Sequence, residues 1–197
     1  MKFFRLPETD EEKRRVTPKQ RVANGFPILT DGESQAISKH DWQLKIWTEA
    51  QSHTWDFEGL LAFPQENFTA DFHCVTHWSK LNVRWTGVRL HHLLEHLDVG
   101  HSETYALVHC FGGYSTNLLL ADLMAPSSFL AHQLNDEALP PERGGPVRLV
   151  VPHLYAWKSA KWISGIELLK EEKLGYWEQN GYHRRGDPWQ QERYSHP

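Results

Sequence analysis

Two residues that can form thiolates, Cys74 and Cys110, and one arginine inside an apolar run, Arg148, are the strongest pointers to chemistry in this chain. Cys74 lies in Asp71-Phe72-His73-Cys74-Val75-Thr76-His77-Trp78-Ser79. A cysteine at the end of a strand, followed by a polar turn, can present a soft thiolate to a metal. The competing reading is an inert, buried small hydrophobe. His73, Cys74 and His77 are close in sequence, and His92 and His96 stand at i, i+4 on a predicted helix. That spacing can build a tetrahedral zinc site, but no Cys-x-x-Cys pair accompanies it, and His91, His92 and His96 can equally coat an exposed helix face. Arg148 interrupts Val147–Val151. A buried guanidinium demands an anion or a carboxylate partner. Lys158 and Lys161, on either side of Ser159, can add donors to a phosphate. The alternative is an internal salt bridge for Arg148 and solvated lysines.

These residues must be held by strands. Trp42–Trp47 alternates apolar and polar residues and predicts a half-buried strand. Phe68–Val75 is rich in β-formers. Val83-Arg84-Trp85 is extended, and Gly87 is expected to break it. Val88, Leu90, Leu93, Leu94 and Leu97 mark one side of a helix that Gly100 is expected to end. Tyr105–Phe111 and Tyr114–Leu120 flank Gly112-Gly113, a hairpin signature because primed turns need positive φ. Leu119–Met124 suggests one helical turn, and Trp55–Phe63 a short helix stopped by Pro64. Phe129–Leu134, Val147–Val151 and Trp162–Leu169 are further strands. Arg21–Leu29 reads as an ordered loop. Many strands with few, irregularly spaced helices predict an α+β domain with mixed sheets. Residues 1–20, with the charge run Glu8–Arg15, are expected to form a solvated arm. Residues 21–197 form a single domain, and the aromatic tail beyond Gly175 is expected to pack on it.

The chain has 197 residues, enough for one substantial core. A net charge of −4 argues against a nucleic-acid-binding chain. No window approaches the ~20 apolar residues of a membrane span. The charged first residues lack the apolar core of an export signal. With two cysteines only, a reducing, cytoplasmic setting is expected. Nine Trp and thirteen His exceed the needs of a plain core.

Together these segments resemble the molybdopterin-binding domain of the sulfite oxidase family, as found in its small stand-alone prokaryotic members. The resemblance runs from about Arg21 to Tyr194. Its most specific pieces are Phe72–Ser79 with Trp85-Thr86-Gly87-Val88, and Gly144–Pro152 with Trp157–Trp162. It implies that the Cys74 thiolate binds molybdenum, held also by the dithiolene of one molybdopterin. It implies that Arg148 contacts the cofactor's phosphate and pterin region, and that the turn Ser159-Ala160-Lys161 grips it. Asn24, Phe26 and Pro27 match an early loop, with Asn24 a pterin contact. Arg143 stands where the family commonly has His or Asn as a cofactor ligand. Ala23 stands where sulfite oxidases have an arginine that binds the anionic substrate, and Gly25 where they have His. Cys110 falls where a related methionine-sulfoxide reductase has Thr near the cofactor. Trp78, Trp85 and Trp162 are candidate cofactor walls, and His77, His109 and Tyr114 candidate substrate-side groups. The implied activity is oxygen-atom transfer on a small polar substrate, with electrons exchanged with an external carrier and no haem. The alternatives are a molybdopterin carrier without turnover and a zinc protein.

Overall fold

The computed structural model describes residues 3–30, 32–97 and 102–196. In chain order the elements are β1 (Phe4–Arg5), α1 (Asp10–Arg15), β2 (Arg21–Ala23), β3 (Gln43–Trp47), β4 (Ser52–Asp56), α2 (Phe57–Leu61), β5 (Glu66–Cys74), β6 (Trp78–Arg89) and α3 (Leu90–Leu94). There follow β7 (Tyr105–Cys110), β8 (Ser115–Leu119), α4 (Leu120–Met124), β9 (Phe129–Leu134), β10 (Glu137–Ala138), β11 (Arg148–Val150), β12 (Ile163–Leu169) and α5 (Tyr176–Gln179). Mixed sheets with short helices make this the expected α+β class. None of the described helices is long and apolar enough to cross a membrane.

One sheet runs β1-β2-β6-β9-β10, with β5 beside β6 and β11 beside β9; the other runs β4-β3-β12-β7-β8. β2 pairs with β6, and β3 with β12, in parallel; the other pairings are antiparallel. Strands β9 and β11 form a wall between two cores. Leu130 and Leu149 face the core of the second sheet, with Leu44, Ile46 and Ile166. Phe129, Ala131 and Val150 face the other core, with Phe72, Trp78 and Trp85. A strand covered on both faces reads as a continuous apolar run, which is why Val147–Val151 shows no alternation.

Several expectations need correction. Residues 3–20 are not a solvated arm. β1 pairs with β2, and Val16, Thr17 and Gln20 are buried. Helix α1 is started by a capping box between Thr9 and Glu12, and Arg15 clamps Asp71 through Nε and Nη2 at 2.9 and 2.7 Å. Gly87 does not break its strand: β6 continues to Arg89, with a register shift between Thr86 and Gly87. Trp55 belongs to β4, ahead of the helix. Arg21–Leu29 begins with a strand before it becomes a loop. Gly100 lies outside the described residues. The Gly112-Gly113 hairpin forms as expected, both glycines at φ near +86° (85° and 87°). The tail packs: Trp177 stacks on Tyr182 at 4.7 Å, and Trp157 meets Tyr182 at 5.0 Å.

Candidate functional site

A cavity of about 430 Å³ opens between the end of β5, the start of β11 and the loops at residues 26–30 and 156–162. Cys74 reaches it from the last residue of β5. The turn that follows is closed by the His77 N–H donating to the Cys74 carbonyl at 3.2 Å, with His77 at φ +67°. Gln20 Nε2 also donates to that carbonyl, at 2.9 Å, so the N-terminal segment braces the turn. The Thr76 hydroxyl donates to Cys74 Sγ at 3.2 Å. Burial pushes the Cys74 thiol up, opposed by the bonds from Thr76 and by the charge of Arg193. A coordinated cation is what would hold so dry a sulfur as thiolate.

The same cavity is lined by three cations. Arg148 is 3% exposed. Its guanidinium donates to the carbonyls of Arg143 at 2.9 Å, Ser159 at 2.6 Å and Leu149 at 3.4 Å. It makes no ion pair among the described residues, and burial, reinforced by Arg143, pushes it down to about 9. Arg143 lies over the Phe26 ring at 4.4 Å and donates to the carbonyls of Pro27, at 2.8 Å, and Phe26. Lys161 donates to Leu29 O at 3.0 Å, Thr30 Oγ1 at 2.7 Å and Glu142 O at 2.8 Å. Burial, then Arg148 and Arg143, push Lys161 down to about 7. Three mutually repelling cations held by carbonyls and one hydroxyl form a ready-made anion site.

The turn at 159–161 sets this geometry. Ser159 Oγ accepts from the Val151 N–H at 2.9 Å, and the Ala160 carbonyl from the Leu149 N–H at 2.9 Å. The turn is thereby tied to the stretch that carries Arg148. Trp162, at φ +51°, anchors through Nε1 to Pro141 O at 2.7 Å. Gly144, at φ +100°, lies under Lys161, whose Cβ would stand 2.8 Å from any added methyl.

Of the residues singled out from the sequence, Cys74, Phe26, Tyr114, Arg143, Arg148, Ser159, Ala160 and Lys161 line this one cavity, with Trp78 and Trp162. Pro27 lines it too, whereas Asn24, Cys110, His77, His109, Trp85, Lys158, His73 and His96 lie outside its lining. Asn24 is exposed, and its backbone bonds Phe3 O and Lys80 Nζ. Cys110 is buried outside the cavity lining, and burial pushes it up to about 12 against the nearby charge of Arg148. His77 points to Lys19 O at 3.1 Å. His109 stacks on Trp47 at 5.3 Å and meets Glu167 at 3.4 Å. Tyr114 donates to Trp157 O at 2.7 Å, and burial pushes it far up. Trp85 is fully buried and outside the cavity lining, but on the cavity's side of the wall, with its ring 5.5 Å from the Arg148 guanidinium. Lys158 is neither a phosphate donor nor a solvated lysine. It is fully buried and pairs with Glu178 at 2.7 Å. His73 bonds Ser79 Oγ at 2.8 Å, burial pushes it down to about 4, and it lies outside the cavity lining that holds Cys74. His96 packs among the rings of His53, Trp55 and Phe63. Trp157, Trp177 and Tyr182, not named as wall residues from the sequence, complete the cavity wall; Trp157 stands inside the Trp157–Trp162 motif, and for the other two the tail's density of aromatics was the available signal.

Residues 31–177 match the model of the family described as the oxidoreductase molybdopterin binding domain. The chain belongs to this family. Over 197 residues it is 41% identical to the uncharacterized oxidoreductase YuiH of Bacillus subtilis (strain 168), covering 98% of both chains. It is 31% identical to the protein-methionine-sulfoxide reductase catalytic subunit MsrP of Campylobacter jejuni, over 74% of this chain and 54% of that one. It is 27% identical to mitochondrial sulfite oxidase of Drosophila melanogaster, over 82% of this chain but 32% of that one. It therefore spans about half or less of these two longer relatives. The fold is shared with the sulfane dehydrogenase SoxCD of Paracoccus pantotrophus, with a TM-score of 0.66 at 22% identity, over 89% of this chain and 50% of that one. Family membership implies a molybdenum-molybdopterin cofactor, and the donor set suits it. A soft sulfur and three cations that make no salt bridge among the described residues line the same cavity, the cations suited to a phosphate.

Proposed function

We propose that this protein is a sulfite oxidase-like molybdenum oxidoreductase. It would bind one molybdopterin per molybdenum, transfer an oxygen atom to or from a small polar substrate, and exchange electrons with a separate carrier. The observation that carries this reading is the convergence in one cavity of Cys74 and three cations that have no ion-pair partner among the described residues, Arg143, Arg148 and Lys161.

When bound, the cofactor supplies the two-electron redox chemistry. The chain's part is to hold and exclude. Cys74 would ligate the metal, and the Thr76 hydroxyl and the braced turn fix the direction of its sulfur. Arg148, Lys161 and Arg143 would neutralise the phosphate and donate to the pterin. Trp78, Trp162 and Phe26 flank the group and keep water from it. Tyr114, its hydroxyl held on a carbonyl and unable to ionise near neutrality, orients rather than transfers protons. Ala23 leaves no arginine at the position where sulfite oxidases bind their anion, so sulfite is not favoured over sulfoxides or N-oxides.

The test is expression in a host that makes molybdopterin, followed by elemental analysis and a substrate screen. The wild type is expected to carry molybdenum rather than zinc. Cys74→Ser is expected to keep the fold and lose molybdenum-centred turnover. Full metal loading with unchanged turnover in that variant, or zinc without molybdenum in the wild type, would overturn the proposal. Bound cofactor whose oxidation state no substrate changes would instead indicate a carrier.

A further inference from the structure

Away from the cavity, three side chains form a continuous hydrogen-bonded line. Ser127 Oγ lies 3.1 Å from His153 Nδ1, and His153 Nε2 lies 3.0 Å from Asp122 Oδ1. Asp122 comes from α4, Ser127 from the turn before β9 and His153 from the turn after β11. That turn before β9 is fixed: the Ser128 hydroxyl donates to Asp122 O at 2.6 Å, and the Ser128 N–H to Ala125 O at 2.9 Å.

The three sites differ in exposure in the order a nucleophile relay requires. The Asp122 side chain is 8% exposed, that of His153 is 31% exposed, and Ser127 is open to solvent. Burial pushes the Asp122 carboxyl up, but the bonds from His153 and Arg185 outweigh it and leave it below its ordinary value. An ionised carboxylate on Nε2 places the imidazole proton there. The Nδ1 lone pair is then free to accept the Ser127 proton. The relay is that of a hydrolase triad, with the roles of the two ring nitrogens exchanged.

In front of Ser127 lies a groove of about 460 Å³, bordered by His153, Phe129, Pro152 and residues 67–71 of β5. Strand β5 is bonded to β6 alone among the described residues. The outer edge of such a strand carries unpaired backbone N–H groups, the donor type that stabilises an oxyanion.

We propose that Ser127 and His153 form a second, hydrolytic site, acting on small carboxylic esters with an apolar acyl group, and that Asp122 positions the imidazole. In this reaction Ser127 Oγ bonds to the acyl carbon while its proton passes to His153 Nδ1. The ester C–O bond breaks, and the alcohol leaves with that proton. Water then attacks the acyl-serine, gives a proton to His153, and releases the carboxylic acid as Ser127 recovers its own. The sum is ester plus water to acid plus alcohol, with no electron transferred.

The experiment treats the full chain with a fluorophosphonate probe, maps the adduct by mass spectrometry, and follows p-nitrophenyl acetate hydrolysis. Ser127 is expected to be labelled. Ser127→Ala should abolish both label and hydrolysis, and His153→Ala should slow labelling at least about tenfold. Asp122→Asn should lower kcat with KM little changed. Labelling of Ser127 no faster than that of the exposed Ser52 and Ser102, or hydrolysis unchanged in Ser127→Ala, would overturn the proposal. Ser127 is exposed, so its alanine variant is not expected to disturb folding.

Discussion

Lys161 shows how the site's charge is set. Its ammonium touches two carbonyls and a hydroxyl, with Arg148 and Arg143 as repelling neighbours, and it is pushed down to about 7. Its ordinary value is 10.5. Between those two values the unfolded chain binds more protons at this residue than the folded one, so its contribution to stability in the cofactor-free protein grows as pH rises across that window. Anion binding has the opposite sign, because an anion favours the charged ammonium. Sulfate, which does not titrate near neutrality, is expected to stabilise the cofactor-free protein below pH about 7 and progressively less above it. Lys161→Arg should flatten that dependence, and Arg148→Ala should remove the effect of sulfate altogether. Thermal shifts with and without sodium sulfate on either side of neutrality check this; an equal sulfate effect at both would contradict it. Arg148 was legible from the sequence because a charge inside an apolar run poses a question with few answers. Arg193, which bonds Val75 O at 2.5 Å behind the Cys74 turn, was not. It lies about 120 residues away, and no local pattern links the two.

Among the elements, β6 is the one whose path departs most from a local reading. Glycine usually interrupts strands, yet here it lets β6 run against β9. A Cβ at Gly87 would stand 1.9 Å from Leu130 O and 2.9 Å from Ala131 Cα. These are backbone atoms and cannot swing aside. Gly87→Ala is therefore expected to cost about 3 kcal/mol or more, a fall in Tm of about 6–12 °C for a chain of this size. Calorimetry on the cofactor-free protein checks it, and a shift under about 2 °C would show that the bulge can relax. The elements that the sequence made legible share one property: their signal is local. The Gly112-Gly113 turn needs positive φ, and β3 alternates because one face is covered. α3 shows a stripe, with Leu90, Leu93 and Leu94 all buried. The missed elements depend on distant partners. β1 exists only by pairing with β2. β4 buries Trp55 alone and so lacks alternation. The capping box at Thr9 and Glu12 was a local signal, but it was masked by the charge run around it.

At the scale of the molecule, the shared wall of β9 and β11 decides how the chain holds together. Leu149 belongs to one core, and its register partner Leu130 sits on the same side. Phe129, one residue away, belongs to the other core and stacks on Phe68 at 4.0 Å. Neither core can lose this wall without exposing the other, so the two sheets are expected to unfold as one unit. Leu149→Ala should cost about 2–5 kcal/mol and Phe129→Ala about 3–5 kcal/mol. Each should move a single transition in denaturant, seen alike by far-ultraviolet circular dichroism and by tryptophan fluorescence. The fluorescence reports on both cores, through Trp42 in the first and Trp78 and Trp85 in the second. Two resolved transitions, with Leu149→Ala moving one and Phe129→Ala the other, would show independent cores. The same wall carries Arg148 toward the cavity, on the face it shares with Val150 and Ala131. Destabilising variants on the far side of the wall, such as Leu149→Ala, are therefore expected to weaken cofactor retention as well, although Leu149 lies outside the cavity lining.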